Sequence, residues 1–277
     1  MADELITAGS NLSAIVPEVW SSRFYEVLKA DLVFRSLLST DYQGDISDLG
    51  DRVNVAQFPE FDEGDELAED ARQDASAITV TSQQLVINKR VVKDFIVTKK
   101  ATLQSLPHMD KLRELAVYAI LKKIERTIIE TIVPNSANAI GYNSGTTLAL
   151  ADILAAKELL DAANVGAGDR SMVIGSAAIN DLFNITGFMS SDFVSAGSPL
   201  SSGQAPSSLL GFVPQFTTLV GTVSFFMHKS FMTIASQEGM TVEEFNLGAE
   251  GVRAARLNLG TLYGLKQLDG VRVVSIT

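Results

Sequence analysis

The sequence predicts an α+β fold, and three features of its pattern carry this prediction. Apolar residues recur at helical spacing through a long central segment, residues 109–134. Short runs of β-branched and aromatic residues, typical of strands, dominate from residue 212 onward. Between a first helix and the central one, strand-like alternation surrounds an acidic segment within residues 41–97.

The first elements are an N-terminal arm and an amphipathic helix. Residues 1–16 are small and polar without a clear period, and Asp3 and Glu4 stand where a secretion signal needs positive charge. Pro17 suits the first position of a helix. Apolar residues at helical spacing then predict a helix over residues 18–38; they are Trp20, Phe24, Val27, Leu28, Phe34 and Leu38.

An acidic hairpin follows the first helix. Gly44 and Gly50 mark a turn region before a strand over residues 53–58, and residues 78–97 return as a long strand or a pair of strands. Between residues 60 and 74 lie eight acidic residues and one basic residue, Arg72. Such a segment cannot bury enough apolar surface to offset its ordering entropy. We therefore expect a neighbouring subunit to order it, although a solvated loop that only keeps the protein soluble is the alternative.

The central helix is the strongest single signal in the sequence. Residues 109–134 make a rod of about 37 Å at the usual rise per residue. Its basic residues Lys111, Lys122, Lys123 and Arg126 lie off the apolar row. That row repeats at every fourth position and is widened by Leu115 and Ala119; its members are Leu112, Ala116, Ile120, Ile124, Ile128 and Ile132.

A linker rich in Gly, Asn, Ser and Thr, residues 135–147, marks the clearest boundary of the chain. Beyond it we predict a helix over residues 151–164 that is closed by Gly166, a strand over 170–174, and a short helix capped by Ser176. Residues 190–208 predict a surface loop. The remaining strands are predicted over residues 220–228, 231–235, 241–245, 252–263 and 271–276.

Composition excludes several classes of protein. The net charge of -11 disfavours a nucleic-acid binder that relies on neutralising phosphates, but it suits a container whose wall must not adhere to packed DNA. Hydrophobic residues make up 46% of the chain, which is ample for a core. No cysteine is present, so neither disulfides nor thiolate metal sites can form.

No enzymatic constellation is legible in the sequence. The two histidines, His108 and His228, are single residues that more often satisfy local hydrogen bonds than bind metal. Gly166 and Gly168 resemble part of a dinucleotide turn, but they follow a helix and precede a strand, which is the wrong order. We therefore expect no catalysis, no cofactor and no metal.

One stretch raises the possibility of a membrane span. Residues 209–227 carry no charge and are just long enough to cross a bilayer. Pro214, Gly211 and Gly221 interrupt helical character, and β-branched and aromatic residues dominate. Strands buried on both faces are the favoured interpretation.

Taken in order, these blocks resemble the major capsid proteins of tailed bacteriophages, which have the Hong Kong 97 fold. The resemblance covers nearly the whole chain, and the order and spacing of the blocks carry it. They are PEVWSSRFYEVLKADLVFRSLLSTDYQGDISDLGDRVNV at 17–55, DILAAKELLDAANVGAGDRSMVIG at 152–175, FMHKSFMTIA at 226–235 and LYGLKQLDGVRVVSI at 262–276.

The resemblance implies a division of the chain into four parts. Residues 1–45 would be the N-arm with its amphipathic helix, and residues 46–85 the extended hairpin called the E-loop. The peripheral domain, with a long spine helix, would comprise 86–146 and 236–263. The α/β axial domain would comprise 147–235 and 264–277.

The resemblance also implies a function. Copies of the chain would assemble as pentamers and hexamers into an icosahedral shell, a virion capsid built in the host bacterial cytoplasm, around double-stranded DNA that is enclosed without specific binding. A separate scaffolding protein, a portal and in some forms a decoration protein would take part. The alternatives are an encapsulin-type bacterial nanocompartment, which shares the fold, and more remotely a small-molecule α/β enzyme with an acidic lid or a membrane-anchored protein.

Residues for contacts between subunits follow from the charge pattern. We expect the E-loop to bind a neighbour through apolar burial, with its charges setting the register. The E-loop candidates are Phe58, Glu60, Phe61, Asp62, Glu63, Asp65, Glu66, Leu67, Glu69 and Asp70. The basic candidates on the neighbour are Lys99, Lys100, Lys122, Lys123 and Arg126.

Overall fold

In a computed structural model of the protein, the described residues are 29–44, 50–60, 63, 66, 77–100, 109–143, 147–185, 208–247 and 254–277. The chain separates into two compact units, Met1–Ala30 and Asp31–Thr277. Only Lys29 and Ala30 of the first unit are among the described residues. Every element below belongs to the second unit.

A four-stranded antiparallel sheet contains the longest strands of the molecule. Its order is β1-β2-β8-β7, and adjacent strands are antiparallel throughout. Strand β8 lies at the centre between β2 and β7, while β1 pairs with only the first part of β2, from Thr81 to Val86. The strands are β1 (Arg52–Gln57), β2 (Thr81–Thr98), β7 (Met232–Asn246) and β8 (Ala254–Gln267).

The spine helix, Met109–Thr131, packs against this sheet. Its buried row runs from Ala116 to Ile132 at every fourth position, as the sequence predicts. The row meets Leu257, Leu259 and Tyr263 of β8 in the larger hydrophobic core. Leu112 and Leu115, at the start of the helix, are more than two-fifths exposed, so the apolar row extends beyond the surface that the sheet covers.

A five-stranded mixed sheet has the order β3-β9-β6-β4-β5. Alternate residues of its strands face two different cores: Val173, Phe225 and Val273 join the core of the spine helix, whereas their neighbours Met172 and Phe226 join a second core. Burial on both faces explains the apolar runs in the three central strands, β4, β6 and β9, whereas the edge strands β3 and β5 are partly exposed. The five strands are β3 (Ala139–Ile140), β4 (Arg170–Gly175), β5 (Val213–Thr217), β6 (Ser224–His228) and β9 (Val273–Ile276).

Two further helices cover the second face of that sheet: Leu150–Ala162 and Ile179–Asn184. Asp152, fully buried, accepts hydrogen bonds from the backbone N–H groups of Asn143 and Ala149 at 2.9 and 2.8 Å. These bonds close the connection into the first of these helices, because they satisfy backbone donors that would otherwise lie unpaired.

The N-terminal helix predicted over residues 18–38 is wrong at its C-terminal end. Residues 29–33 are not helical, and the helix described there is the short α1, Phe34–Leu37. Residues 18–28 lie outside the described residues. Phe34 and Leu38 are both buried, but the helix between them is only the single turn of α1.

Other differences are local. The helix over residues 150–162 is terminated by Asn164 in a left-handed conformation, φ 53°, and not by Gly166. Ser176 does not cap the next helix, whose N-cap is Ala178 without a side-chain bond. The strands predicted over 231–235 and 241–245 form one bulged strand, β7. The linker contains β3, and the strand predicted over 220–228 begins only at Ser224.

Three strands run across the predicted domain boundaries. Strand β2 continues through the boundary between residues 85 and 86. Strand β7 continues through the boundary between residues 235 and 236, and β8 continues through the boundary between 263 and 264. The division into N-arm, E-loop, peripheral and axial domains therefore stays a prediction, since continuous strands join its parts.

The backbone of Gly221 lies so close to Gly175 that no side chain fits there, and this can be tested. A Cβ atom there would lie 1.8 Å from the carbonyl oxygen of Gly221, so Gly175→Ala must displace the turn before β6. We expect a loss of about 2 kcal/mol or more in the free energy of unfolding, measured by urea denaturation of the unassembled protein. Gly168→Ala is the control, because nothing lies within 4 Å of its Cβ position. Equal stabilities for the two variants would contradict this account.

Candidate assembly interfaces

The base of the E-loop is built into the four-stranded sheet. Strand β1 pairs with β2 from Arg52 opposite Val86 to Gln57 opposite Thr81. The side chain of Gln83 donates to the carbonyl oxygen of Leu268 at 2.8 Å, which fixes the strand pair to the chain after β8. The E-loop therefore leaves the body from a defined position and direction.

The described part of the E-loop is exposed. The Phe58 side chain is 73% exposed, far more than an aromatic ring in a finished fold, and Glu60, Glu63 and Glu66 are exposed as well. The other E-loop candidates, Phe61, Asp62, Asp65, Leu67, Glu69 and Asp70, lie outside the described residues. Phe58 and the carboxylates of Glu60, Glu63 and Glu66 are thus accessible to another molecule.

The basic candidates fall in two places. Lys123 and Arg126 are exposed on the spine helix, and the ammonium of half-buried Lys122 lies 6.0 Å from the centre of the Tyr118 ring. Lys99 and Lys100 are exposed directly after β2. None of the five forms an ion pair with a residue that the structure describes, so their charges are available to a partner.

A buried carboxylate, which the sequence reasoning missed, holds the N-terminal segment on the spine helix. Glu125 is only 2% exposed. Its two oxygens accept the backbone N–H groups of Phe34 and Arg35, each at 2.9 Å. Burial raises the pKa of the Glu125 carboxyl above its usual range, and the hydrogen bonds from Arg35 and Phe34 oppose that shift.

Further bonds continue this attachment along residues 31–43. The Thr217 hydroxyl donates to the Asp31 carbonyl at 2.9 Å, and Ser39 forms a parallel bridge with Thr233 of β7. The Gln43 side chain bonds both backbone groups of Ser236. The Phe34 ring, fully buried, meets Phe225 edge-on with centroids 6.0 Å apart. Residues 31–43, which belong to the predicted N-arm, are thus fixed to both sheets.

One sequence signal pointed to Glu125. It interrupts the apolar surface between Ile124 and Ile128 in the best helix of the chain, where a charge must find partners if the position is buried. The partners are backbone groups 90 and 91 residues away, and no local pattern encodes them.

The structure assigns structural roles to the remaining candidates for chemistry. The Nδ1 atom of His228 accepts the backbone N–H of Ser230 at 3.2 Å, and burial together with the charge of Arg272 lowers the pKa of its ring. His108 lies outside the described residues. Among the residues described, no three acidic or histidine side chains are grouped to hold a metal ion.

The stretch at residues 209–227 forms two strands joined by a turn. Within the described part of the chain, no helix has the length and hydrophobicity that crossing a membrane requires. The interpretation as strands is therefore confirmed for this stretch.

Comparison with known proteins agrees with this architecture. A family described as phage capsid protein matches residues 54–230, well over half of the 277 residues. No curated protein sequence matches the chain.

Three solved structures of similar fold come from bacteriophages. A chain of Mycobacterium phage Che8 has a TM-score of 0.79 at 22% identity and is matched over 95% of this chain and 97% of its own length. The capsid of cyanophage P-SCSP1u gives 0.78 at 10% identity, over 97% and 94%. The mature capsid of bacteriophage PhiM1 gives 0.73 at 10% identity, over 95% and 92%.

The family match defines the class of the protein: a phage capsid subunit, which assembles with others into a multimeric shell. The chain belongs to the phage capsid protein family. Its fold is that of tailed-phage capsid proteins, and it is a major capsid protein of the virion shell and not an enzyme. The predicted class of protein and the α+β, Hong Kong 97-like fold are thereby confirmed, and the nanocompartment, enzyme and membrane alternatives are not favoured.

Replacement of Glu125 tests the attachment of the N-terminal segment. Glu125→Leu leaves the N–H groups of Phe34 and Arg35 without an acceptor, so we expect a loss of about 2–4 kcal/mol in the free energy of unfolding of the unassembled protein. Glu130→Leu, on an exposed position of the same helix, is the matched control and should change it by less than about 0.5 kcal/mol. Amide hydrogen exchange should accelerate at residues 34 and 35 in the first variant only.

The pH dependence of this difference has a definite sign. Because the folded pKa of Glu125 is raised, the folded protein holds this proton more tightly than the unfolded chain does. The stability that this group contributes is therefore present below the unfolded value, near 4.5, and is lost as pH rises through the folded pKa. The stability gap between the wild type and Glu125→Leu should narrow as pH rises. If the gap instead widens as pH rises, the N–H hydrogen bonds lower the folded pKa of Glu125 by more than burial raises it.

Proposed function

We propose that many copies of this major capsid protein close, as pentamers and hexamers, into an icosahedral shell that encloses double-stranded DNA. The observation that carries the proposal is the E-loop base. An antiparallel strand pair anchored in the sheet ends in an exposed Phe58 and exposed glutamates, which a single copy does not cover. Such a limb gains burial only when another subunit supplies the surface.

The acidic E-loop of one copy docks on the spine helix of a neighbour in this proposal. Lys122, Lys123 and Arg126 lie within two turns of that helix and lack ion-pair partners among the described residues. Exposed ion pairs contribute only about 0–1 kcal/mol each, so burial of Phe58 supplies more of the affinity and the charges select the register. Lys99 and Lys100 extend the basic surface.

The N-arm acts as the second clasp. Its exit from the body is set by Glu125 and by the bonds of Ser39 and Gln43, so a pull on the arm is carried to the spine helix and to β7. We propose that the four-stranded sheet with the spine helix is the peripheral domain and that the five-stranded sheet with its two covering helices is the axial domain.

The contents and partners of the shell follow from charge and from the family. A chain with a net charge of -11 encloses DNA without gripping it. We propose assembly in the host bacterial cytoplasm with a separate scaffolding protein, a portal and in some forms a decoration protein. Many weak contacts per subunit are sufficient for closure because each new contact in a growing shell is intramolecular in effect.

Electron microscopy of the expressed protein tests the shell. We expect closed particles of uniform size, and nucleic acid inside particles taken from infected or packaging-competent cells. Particles that hold only protein cargo would favour the nanocompartment alternative. A species that stays a single copy at every concentration, with residues 50–60 protected from protease, would contradict the proposal.

Charge reversal on the spine helix tests the E-loop contact. Lys122→Glu, Lys123→Glu and Arg126→Glu together should raise the protein concentration needed for assembly several-fold, because they place like charges against the E-loop. The matched pair of single variants is Arg126→Glu and Lys229→Glu, since both reverse one exposed basic residue. The contact is wrong if the triple variant assembles as the wild type does while its fold, checked by circular dichroism, is intact.

A further inference from the structure

The distal half of the four-stranded sheet has two open edges. Strand β1 pairs with β2 only as far as Val86, and the last bond to this side is from the Ile87 N–H to the Asp51 carbonyl. Past that point, over residues 89–98 of β2, no described strand pairs on the side away from β8. On the other side of the sheet, β7 is the outermost described strand, and residues 238–246 are its open portion.

These two edges carry opposite charge. Residues 89–100, the basic edge, hold five basic residues and one acid, Asp94, which is paired with Arg256. Residues 238–246, the acidic edge, hold three glutamates and no basic residue. None of these glutamates forms an ion pair with a described residue, nor does any of the five basic residues; they are Glu238, Glu243, Glu244, Lys89, Arg90, Lys93, Lys99 and Lys100.

Exposed apolar side chains accompany the charges on both edges. Val92 and Ile96 on the basic edge are 40% and 59% exposed, and Val242 and Phe245 on the acidic edge are 51% and 47% exposed. Open strand edges with exposed apolar residues are sites of pairing with other chains unless something covers them. The charges alone therefore do not explain these edges as solvated surface.

The two edge strands run in the same direction, and their residues lie at the same level along β8. Both β2 and β7 run antiparallel to β8, so they are parallel to each other. Arg90 and Glu238 both lie opposite Leu262, while Ile96 and Phe245 both lie opposite Arg256 and share one face. A second copy placed side by side, without axial shift, brings Glu238 to Arg90 and Phe245 to Ile96.

We propose that the acidic edge of one copy binds the basic edge of a second copy. The proposal rests on the shell function above and adds a second contact to that of the E-loop. Of the basic-edge residues, only Lys99 and Lys100 are also proposed to meet the E-loop. It is a heterologous contact, because two acidic edges or two basic edges would repel each other about a two-fold axis. A heterologous contact leaves one edge of each sort free for the next copy, so it closes a ring or extends a lattice, as a shell requires.

Charge exchange tests this contact. We expect Glu238→Lys, and separately Arg90→Glu, to raise the protein concentration required for assembly at least tenfold, measured by sedimentation and electron microscopy, because these two residues meet in the proposed register. Each reverses an exposed edge residue. The controls are Glu158→Lys and Lys229→Glu, which change the net charge equally at exposed positions outside both edges. The controls should assemble at the wild-type concentration.

A double variant that combines the two edge substitutions is the decisive test. The Glu238→Lys, Arg90→Glu double variant should regain assembly to within about threefold of the wild type, because the two residues that meet are again of opposite charge. Failure of the double variant to recover, with each single variant folded, would overturn the proposal, and so would wild-type assembly by both single variants. If the basic-edge variant alone impairs assembly, this edge binds another partner and the proposal is wrong. If the wild type forms no shell, the proposed function fails first and separately.

Discussion

The packing of the spine helix on the four-stranded sheet positions both the N-terminal segment at residues 31–43 and the strand pair β1–β2. The spine helix lays Ile120, Ile124 and Ile128 on β8, and the same helix turns Glu125 toward the N-terminal segment. The sheet beneath it supplies β1 and β2, from which the E-loop departs. Loss of this helix–sheet contact would free both the N-terminal segment and the strand pair at the base of the E-loop, since both depend on the same buried surface.

Buried Glu125 fixes the position of the N-terminal segment through its hydrogen bonds, although burial of its charge is by itself unfavourable. Burial of a carboxylate is unfavourable unless hydrogen bonds compensate, and here two backbone donors do so in part. An apolar residue would pack as well but would leave two N–H groups unpaired. The carboxylate therefore specifies where the N-terminal segment lies, whereas the buried rings of Phe34 and Phe225 hold it there.

The chain carries separate basic and acidic surfaces, and each basic surface has an acidic counterpart in the proposed contacts between copies. The net charge is -11, yet the spine helix and the β2 edge present unpaired basic residues, while the E-loop and the β7 edge present glutamates. Exposed charges interact over roughly 8 Å at physiological salt, so such patches act only after subunits approach. They select partners and register, and the apolar residues beside them, Phe58 and Phe245 among them, supply burial. Weak, selective contacts suit a shell because mismatched subunits can dissociate and rebind.

The sequence by itself determined the elements whose apolar pattern is periodic or continuous: the spine helix and the core strands of both sheets. Periodicity reports burial of one face, and burial is what forms those elements. Tertiary structure alone decided the rest. The non-helical conformation of residues 29–33, the partners of Glu125 and the joining of two predicted strands into β7 depend on contacts between residues far apart in the chain. The two open edges were likewise invisible, because an edge exists only once strand order is set, and strand order is not written in any local pattern.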